Sequence, residues 1–327
     1  MTQPLIALLL SSVLAAAALG GPRLLRRAAP ALATIPRFAA IALSLTAVLW
    51  IAALVALGPV VAWMSSGPDW LPQQVADVCD RCLSAASPFG ESAVTIGVPA
   101  IVPLALPSLG VVAVLIGLAR EFAALRRSQS QLSLTVRSAS ERVRLHGNTA
   151  RITQDTALLA FSLPHRHGGI VLSRGTVASL SEAELAAVLA HEQAHLDERH
   201  HLIVAILNGA TRYLRWIPLI REVRSAVPHY LEIAADRAAK QAAGTDALAG
   251  ALLKLGQPGI PESAGKLPAH AVLHAAGSER IRHLVGAPRP PASTALAAAA
   301  GMYAFMLAAV IAAVHLPFVL ALLAGCL

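Results

Sequence analysis

A chain of 327 residues that is 56% hydrophobic and only 13% charged, with a mean hydropathy of +0.63, is too apolar for an ordinary soluble enzyme of its size. Its 26 Lys and Arg exceed its 18 Asp and Glu, for a formal net charge of +8. Residues 120–290 hold 21 of the basic and 14 of the acidic side chains, so the composition predicts a membrane protein with one charged soluble region.

Four stretches, near 4–20, 38–63, 94–119 and 295–324, are long enough to cross a hydrocarbon core that takes about 20 apolar residues. The first runs Ala-rich into Gly20-Gly21 like a signal peptide, but no Lys or Arg precedes it. Arg23, Arg26, Arg27 and Arg37 fill the first connection without an acid. The second, over 65–93, carries Asp69, Asp77, Asp80 and Glu91 against Arg81. The positive-inside rule therefore predicts a cytoplasmic first connection, an external 65–93 loop, and a return to the cytoplasm at Arg120, Arg126 and Arg127. In this topology Cys79, Cys82 and Cys326 lie outside, where a Cys79–Cys82 disulfide competes with a redox or metal-binding CxxC. Pro99, Pro103 and Pro107 in the third stretch predict a kinked helix. His315, in the last stretch, is an ionisable group in an apolar run that suits either a functional role or interfacial packing.

Within the soluble region, 128–155 is polar and ambiguous. Residues 157–162 and 169–173 read as two short strands joined through Pro164-His165-Arg166-His167-Gly168, a β-hairpin. From 181 to about 256 the pattern is helical, with breaks predicted near Pro218 and Pro228 and a stop at Gly244; 257–269 is Pro/Gly-rich loop. Excess basic charge fits a domain lying under an anionic leaflet. No aromatic–basic interleaving or DNA-reading motif supports direct nucleic-acid binding.

His191-Glu192-Gln193-Ala194-His195 carries the chemistry. HExxH on a helix puts two imidazoles four residues apart on one face with a carboxylate beside them, half of a zinc peptidase site. Such strings also arise by chance. Here Ser181, Glu182 and Glu184 form a capping-box start, and Leu185, Val188 and Leu189 a buried stripe, so the motif sits inside a properly started helix. A catalytic zinc takes three protein ligands and keeps one position open. Glu232 is the candidate third ligand; it begins Glu232-Ile233-Ala234-Ala235-Asp236, and Asp236, one turn on, is placed to brace the ligands.

This order of elements resembles the BlaR/MecR-type sensor-transducer metallopeptidases, and the HExxH…ExxxD core is similar to the HtpX and CAAX prenyl protease families. The resemblance is densest from Ala160-Phe161 through Leu180–His191 to Asp236, resumes at Ser278-Glu279-Arg280-Ile281, and includes Trp216-Ile217-Pro218-Leu219. It implies a mainly α, multi-pass plasma (inner) membrane protein. Segments 1–119 would hold three transmembrane helices, 120–290 a cytoplasmic α+β gluzincin domain, and 291–327 the fourth transmembrane helix. It further implies one Zn2+ per chain on His191, His195 and Glu232, with Glu192 as general base and Asp236 orienting a ligand imidazole. His274 would stabilise the oxyanion ahead of Arg280, although the proline that usually follows this histidine is Ala275. Ala235 stands where the sensor-transducers often have Cys, and the chain ends at Leu327 without a penicillin-binding domain. The implied activity is cleavage of a cytoplasmic protein or peptide by metal-activated water. A transcriptional repressor is the substrate the sensor-transducers suggest, and misfolded membrane proteins are what the HtpX family suggests. The alternative from another class is a non-proteolytic, zinc-containing signal transducer.

Overall fold

The computed structural model describes residues 2–64, 101–256 and 293–323, together with Asp77 and Arg81. Three long helices come from the apolar stretches: α1 (Thr2–Leu32), α2 (Pro36–Ala62) and α3 (Ile101–Ala139). By length and composition Pro4–Leu32, Pro36–Ala62 and Pro107–Ala139 are each able to cross a membrane. A sheet follows, of β1 (Ser140–Leu145), β2 (Asn148–Thr153), β3 (Ala160–Leu163) and β4 (Gly169–Ser173). Then come α4 (Arg174–Ser179), α5 (Glu182–Asp197), α6 (His200–Ala210), α7 (Pro218–Ala243) and α8 (Thr245–Leu255). The last described helix, α9 (Ser293–Leu323), holds the shorter apolar stretch Gly301–Pro317.

Two helices run past their apolar stretches. The first continues through Arg23, Arg26 and Arg27 to Leu32, with Pro22 and Pro30 inside it, so the turn to α2 is only residues 33–35. The third continues 20 residues past 119 to Ala139, so one unbroken helix crosses the boundary drawn at 119/120. Its described part contains Pro103 and Pro107; Pro99 lies outside the described residues, as do most of the 65–93 loop with Cys79 and Cys82, the 257–269 loop and Cys326. The predicted hairpin is present as antiparallel β3 and β4, joined by a short 3-10 turn over His165–His167. The ambiguous 128–155 stretch becomes the end of α3 plus the β1–β2 hairpin, and the sheet order is β1-β2-β4-β3 with a parallel β2–β4 pair.

Every residue of β4 is buried. Its side chains alternate at period two. Ile170 and Leu172 meet Leu185, Val188 and Leu189 of α5 on one face, and Val171 meets Val136 of α3 on the other, together with Phe161 and Leu163. Each such aliphatic side chain contributes about 1.5–3 kcal/mol by leaving water. Helix α5 starts at Ser181, whose Oγ accepts from the Glu184 N–H while the Glu184 side chain accepts from the Ser181 N–H at 2.7 Å. The predicted capping box is thus complete.

Helix α7 packs with the long apolar helices as much as with the elements around the sheet. Ile220, Val223, Val227 and Leu231 share a core with Leu10 and Leu14 of α1 and Ala40, Leu43 and Trp50 of α2. The predicted break near Pro218 and stop at Gly244 are seen, but the predicted break near Pro228 is not: the helix passes through it unbroken. An interior proline costs about 3 kcal/mol, which the packing of Val227, Tyr230 and Leu231 on either side of it offsets. The α1–α2 turn is clamped to the same assembly by Arg26–Glu222 at 2.9 Å, by an Arg37–Glu198 ion pair, and by Arg237 Nη1 donating to Thr34 O at 3.0 Å.

Helix α6 docks on α3 through two glycines. A Cβ at Gly117 would lie 2.3 Å from the Gly209 carbonyl oxygen, and one at Gly209 would lie 2.8 Å from the Leu118 Cα. Backbone on one side leaves no room to yield. Gly117→Ala and Gly209→Ala are expected to destabilise the protein by about 1–3 kcal/mol each. Thermal unfolding in detergent checks this, with Gly301→Ala, which meets nothing within 4 Å, as the unaffected control.

Candidate metal centre

Small side chains let α5 and α7 approach each other. Ala187 on α5 and Ala239 on α7 are fully buried in one cluster, flanked by Ala190 and Ala243. That seam brings His191, His195 and Glu232 together as a group able to hold a metal ion. His191 Nε2 lies 3.1 Å from His195 Nε2, and the Glu232 carboxylate oxygens lie 3.5 Å from each of these nitrogens.

Outer partners fix which nitrogen carries each proton. His191 Nδ1 is 3.1 Å from Asp236 Oδ1, an ion-pair distance short of hydrogen-bond alignment; the carboxylate favours the proton on Nδ1, the tautomer in which Nε2 keeps its lone pair. His195 Nδ1 lies 2.7 Å from Nδ1 of His200, whose Nε2 is 3.1 Å from Glu198 Oε2. Burial pushes the His200 pKa down, against a hydrogen bond and the charge of Glu198 that raise it. A neutral His200 donating Nε2–H to Glu198 presents a bare Nδ1, which must accept the Nδ1–H of His195. His195 Nε2 is then bare as well.

Two nitrogen lone pairs 3.1 Å apart cannot hydrogen-bond to each other and repel unless a cation lies between them. Two metal–nitrogen bonds of about 2.0–2.1 Å at a tetrahedral angle put their nitrogens about 3.3 Å apart, close to the spacing found. Glu192 completes the fit. Only 2% exposed, it has an Oε2 atom with no hydrogen-bond partner among the described residues, the state expected of a base whose partner is a water or a substrate. The donor set, two imidazoles and one carboxylate with no thiolate, suits a catalytic zinc with one position left open.

Beside the ligands a cleft runs between α3, β3, α6 and α7. Its walls include Leu132, Phe161, Leu163, Val204 and Leu231, and His195 and Glu232 line it as well. Strand β3 is the edge of the sheet on this side, so its outer backbone groups are available to an added strand.

The structure brings together His191, Glu192, His195, Glu232 and Asp236, all five named from sequence. His274 and Arg280 lie outside the described residues. Sequence reasoning missed His200, Glu198 and Arg37. The one signal present was a further imidazole just past the motif. It folds back because Arg199 takes a left-handed conformation, φ 52° and ψ 41°, between α5 and α6, a shape that non-glycine residues seldom adopt and that no residue pattern announces.

Residues 126–227 match the family model of Peptidase family M48. The match takes in the HExxH helix and ends before Glu232. No curated protein and no solved structure matches the chain. The family match and the three-residue cluster together support a metallopeptidase.

His200→Ala is expected to lower zinc affinity by about 10- to 100-fold, the usual cost of losing the group that orients a ligand imidazole, in a competitive chelator titration. Arg37 is 64% exposed in its pair with Glu198, and Arg37→Ala is expected to cost less than about 1 kcal/mol in the same titration.

Proposed function

We propose that this protein is an integral-membrane zinc endopeptidase of the gluzincin kind, with its active site on the cytoplasmic side. The observation that carries the reading is the pair His191 Nε2 and His195 Nε2, 3.1 Å apart, each 3.5 Å from one of the two Glu232 carboxylate oxygens, with the buried Glu192, whose Oε2 has no hydrogen-bond partner among the described residues, next to His191 in the chain. When bound, zinc supplies Lewis acidity, lowering the pKa of a coordinated water toward about 7 and polarising the scissile carbonyl. Glu192 takes the proton of the attacking water and passes it to the leaving amine. Asp236 and His200 hold the two imidazoles in the tautomer that offers Nε2. An extended substrate lies along the edge of β3, and the apolar cleft takes one of its side chains.

The membrane reading has four spans. Besides the three long helices, α9 packs along α2, with Leu307 in the core shared by α1 and α2 and Val314 against Ala56 and Val60. The basic first connection is clamped to the peptidase helices through Arg26, Arg37 and Arg237. The positive-inside rule that assigns one of them to the cytoplasm therefore assigns both. The substrate we infer is a cytoplasmic protein; a repressor is favoured by the likeness to sensor-transducers and a misfolded membrane protein by the likeness to HtpX-like enzymes.

Glu192→Gln is expected to keep zinc and fold but to lose at least about 10²-fold in cleavage rate, measured on the purified protein with an unfolded, apolar-rich protein as substrate. Undiminished cleavage would overturn the mechanism, and a wild-type protein that binds zinc yet cleaves nothing would favour the non-proteolytic transducer. Ser128→Cys, on the cleft wall, is expected to resist an impermeant maleimide applied to intact cells and to react after lysis. Labelling from outside would reverse the orientation.

A further inference from the structure

The α6–α7 hairpin holds exposed aromatic and basic side chains that the chemistry above does not use. Trp216 is 75% exposed, Tyr213 46% and Ile206 47%, and Arg215 and Arg221 are exposed beside them. Single exposed apolar residues are ordinary. The position of this group is not. We infer that the hairpin tip, residues 206–221, is a wedge seated in the headgroup layer of the same bilayer that the long helices cross, with Trp216 and Tyr213 as its interfacial anchors.

The level is set by two helices at once. The apolar run of α1 ends at Gly21, before Arg23, Arg26 and Arg27; that of α3 ends before Arg120 and Glu121. Both transitions touch the hairpin. Leu219 presses on Gly21, where a Cβ would lie 2.7 Å from Leu219 Cδ1, and Gly209 presses on Gly117 and Leu118. Arg120 Nη1 donates to the Tyr213 hydroxyl at 3.1 Å, and Arg212 pairs with Glu121 at 3.5 Å. Ala210 reaches deeper, into an apolar crevice with Val111, Val114 and Leu115 of α3. The tip therefore sits where α1 and α3 leave the hydrocarbon, with one residue just inside it.

The chemistry of the tip suits that layer. Trp and Tyr prefer the membrane–water boundary, with an apolar ring body and a polar atom at the headgroups. Arginines there bury their stems and raise their guanidinium groups to the phosphates. A second protein is a poorer occupant, because lipid-facing helices flank the tip, and a partner would have to share that space with lipid. The wedge also sets the height of the metal centre. Helix α6 has 11 residues, about 15 Å at 1.5 Å per residue, and His200 at its other end holds His195 that far from the leaflet.

This inference rests on the long helices crossing a bilayer and not on proteolysis. The test uses full-length Glu192→Gln protein labelled with 5-fluorotryptophan in phospholipid nanodiscs. The 19F resonance of Trp216 is assigned by Trp216→Phe or, should that variant not fold, by elimination with Trp50→Phe, Trp63→Phe and Trp70→Phe. A phospholipid carrying a nitroxide near its headgroup is expected to erase the Trp216 resonance, and a water-soluble gadolinium chelate to leave it. Erasure by the chelate alone would put the tip in water. Retention in both samples would mean that protein, a second copy or a partner, covers it; either result overturns the wedge. Trp63, at the end of α2, reports separately on the spans, since a nitroxide lipid that leaves it untouched denies the bilayer crossing itself.

Discussion

Two imidazole nitrogens, both stripped of their protons by the partners behind them, face each other at 3.1 Å, and the rest of the molecule is arranged to hold them there. Without a cation that contact is repulsive; with one it becomes the tie between α5 and α7. Asp236 imposes the state of His191 from α7, and His200 imposes that of His195 from the start of α6. The binding free energy of a metal held there would therefore also be folding free energy for the three helices that meet at the site.

That tie couples the site to the long apolar helices. Glu232 and Asp236 sit on α7, whose first half is packed into the core formed by α1 and α2. The cleft wall beside the ligands includes Leu125 and Leu132 of α3, on the same unbroken helix as the third apolar stretch. A fragment cut from these helices would lose the packing that positions Glu232 and one wall of the cleft. A shift of α1 or α3 would be felt at the ligands directly, through rigid helices and not through a flexible linker.

The local chemistry was legible in the sequence because it rests on short-range rules. HExxH and ExxxD each need only the 3.6-residue period to put their groups on one face. Ser181 with Glu184 needs only three residues to close a cap, and Gly244 needs only its own freedom at φ 88° to end α7. What was not legible depends on distant packing. Pro22 and Pro30 sit inside α1 and Pro228 inside α7 without ending either helix. The polar stretch after 128 becomes helix and then paired strands, since Val136 finds Phe161 and Val171 to cover. His200 becomes a partner of His195 only after Arg199 turns left-handed.

The most direct measurement is X-ray absorption at the zinc edge on the purified full-length protein. Two imidazoles and one carboxylate with one open position call for nitrogen and oxygen scatterers at about 2.0–2.1 Å, a total of about four, with the outer-shell pattern of two imidazole rings and no sulfur. A sulfur shell near 2.3 Å, or the signature of three or more imidazoles closing the site, would contradict the assignment of His191, His195 and Glu232 as a catalytic centre.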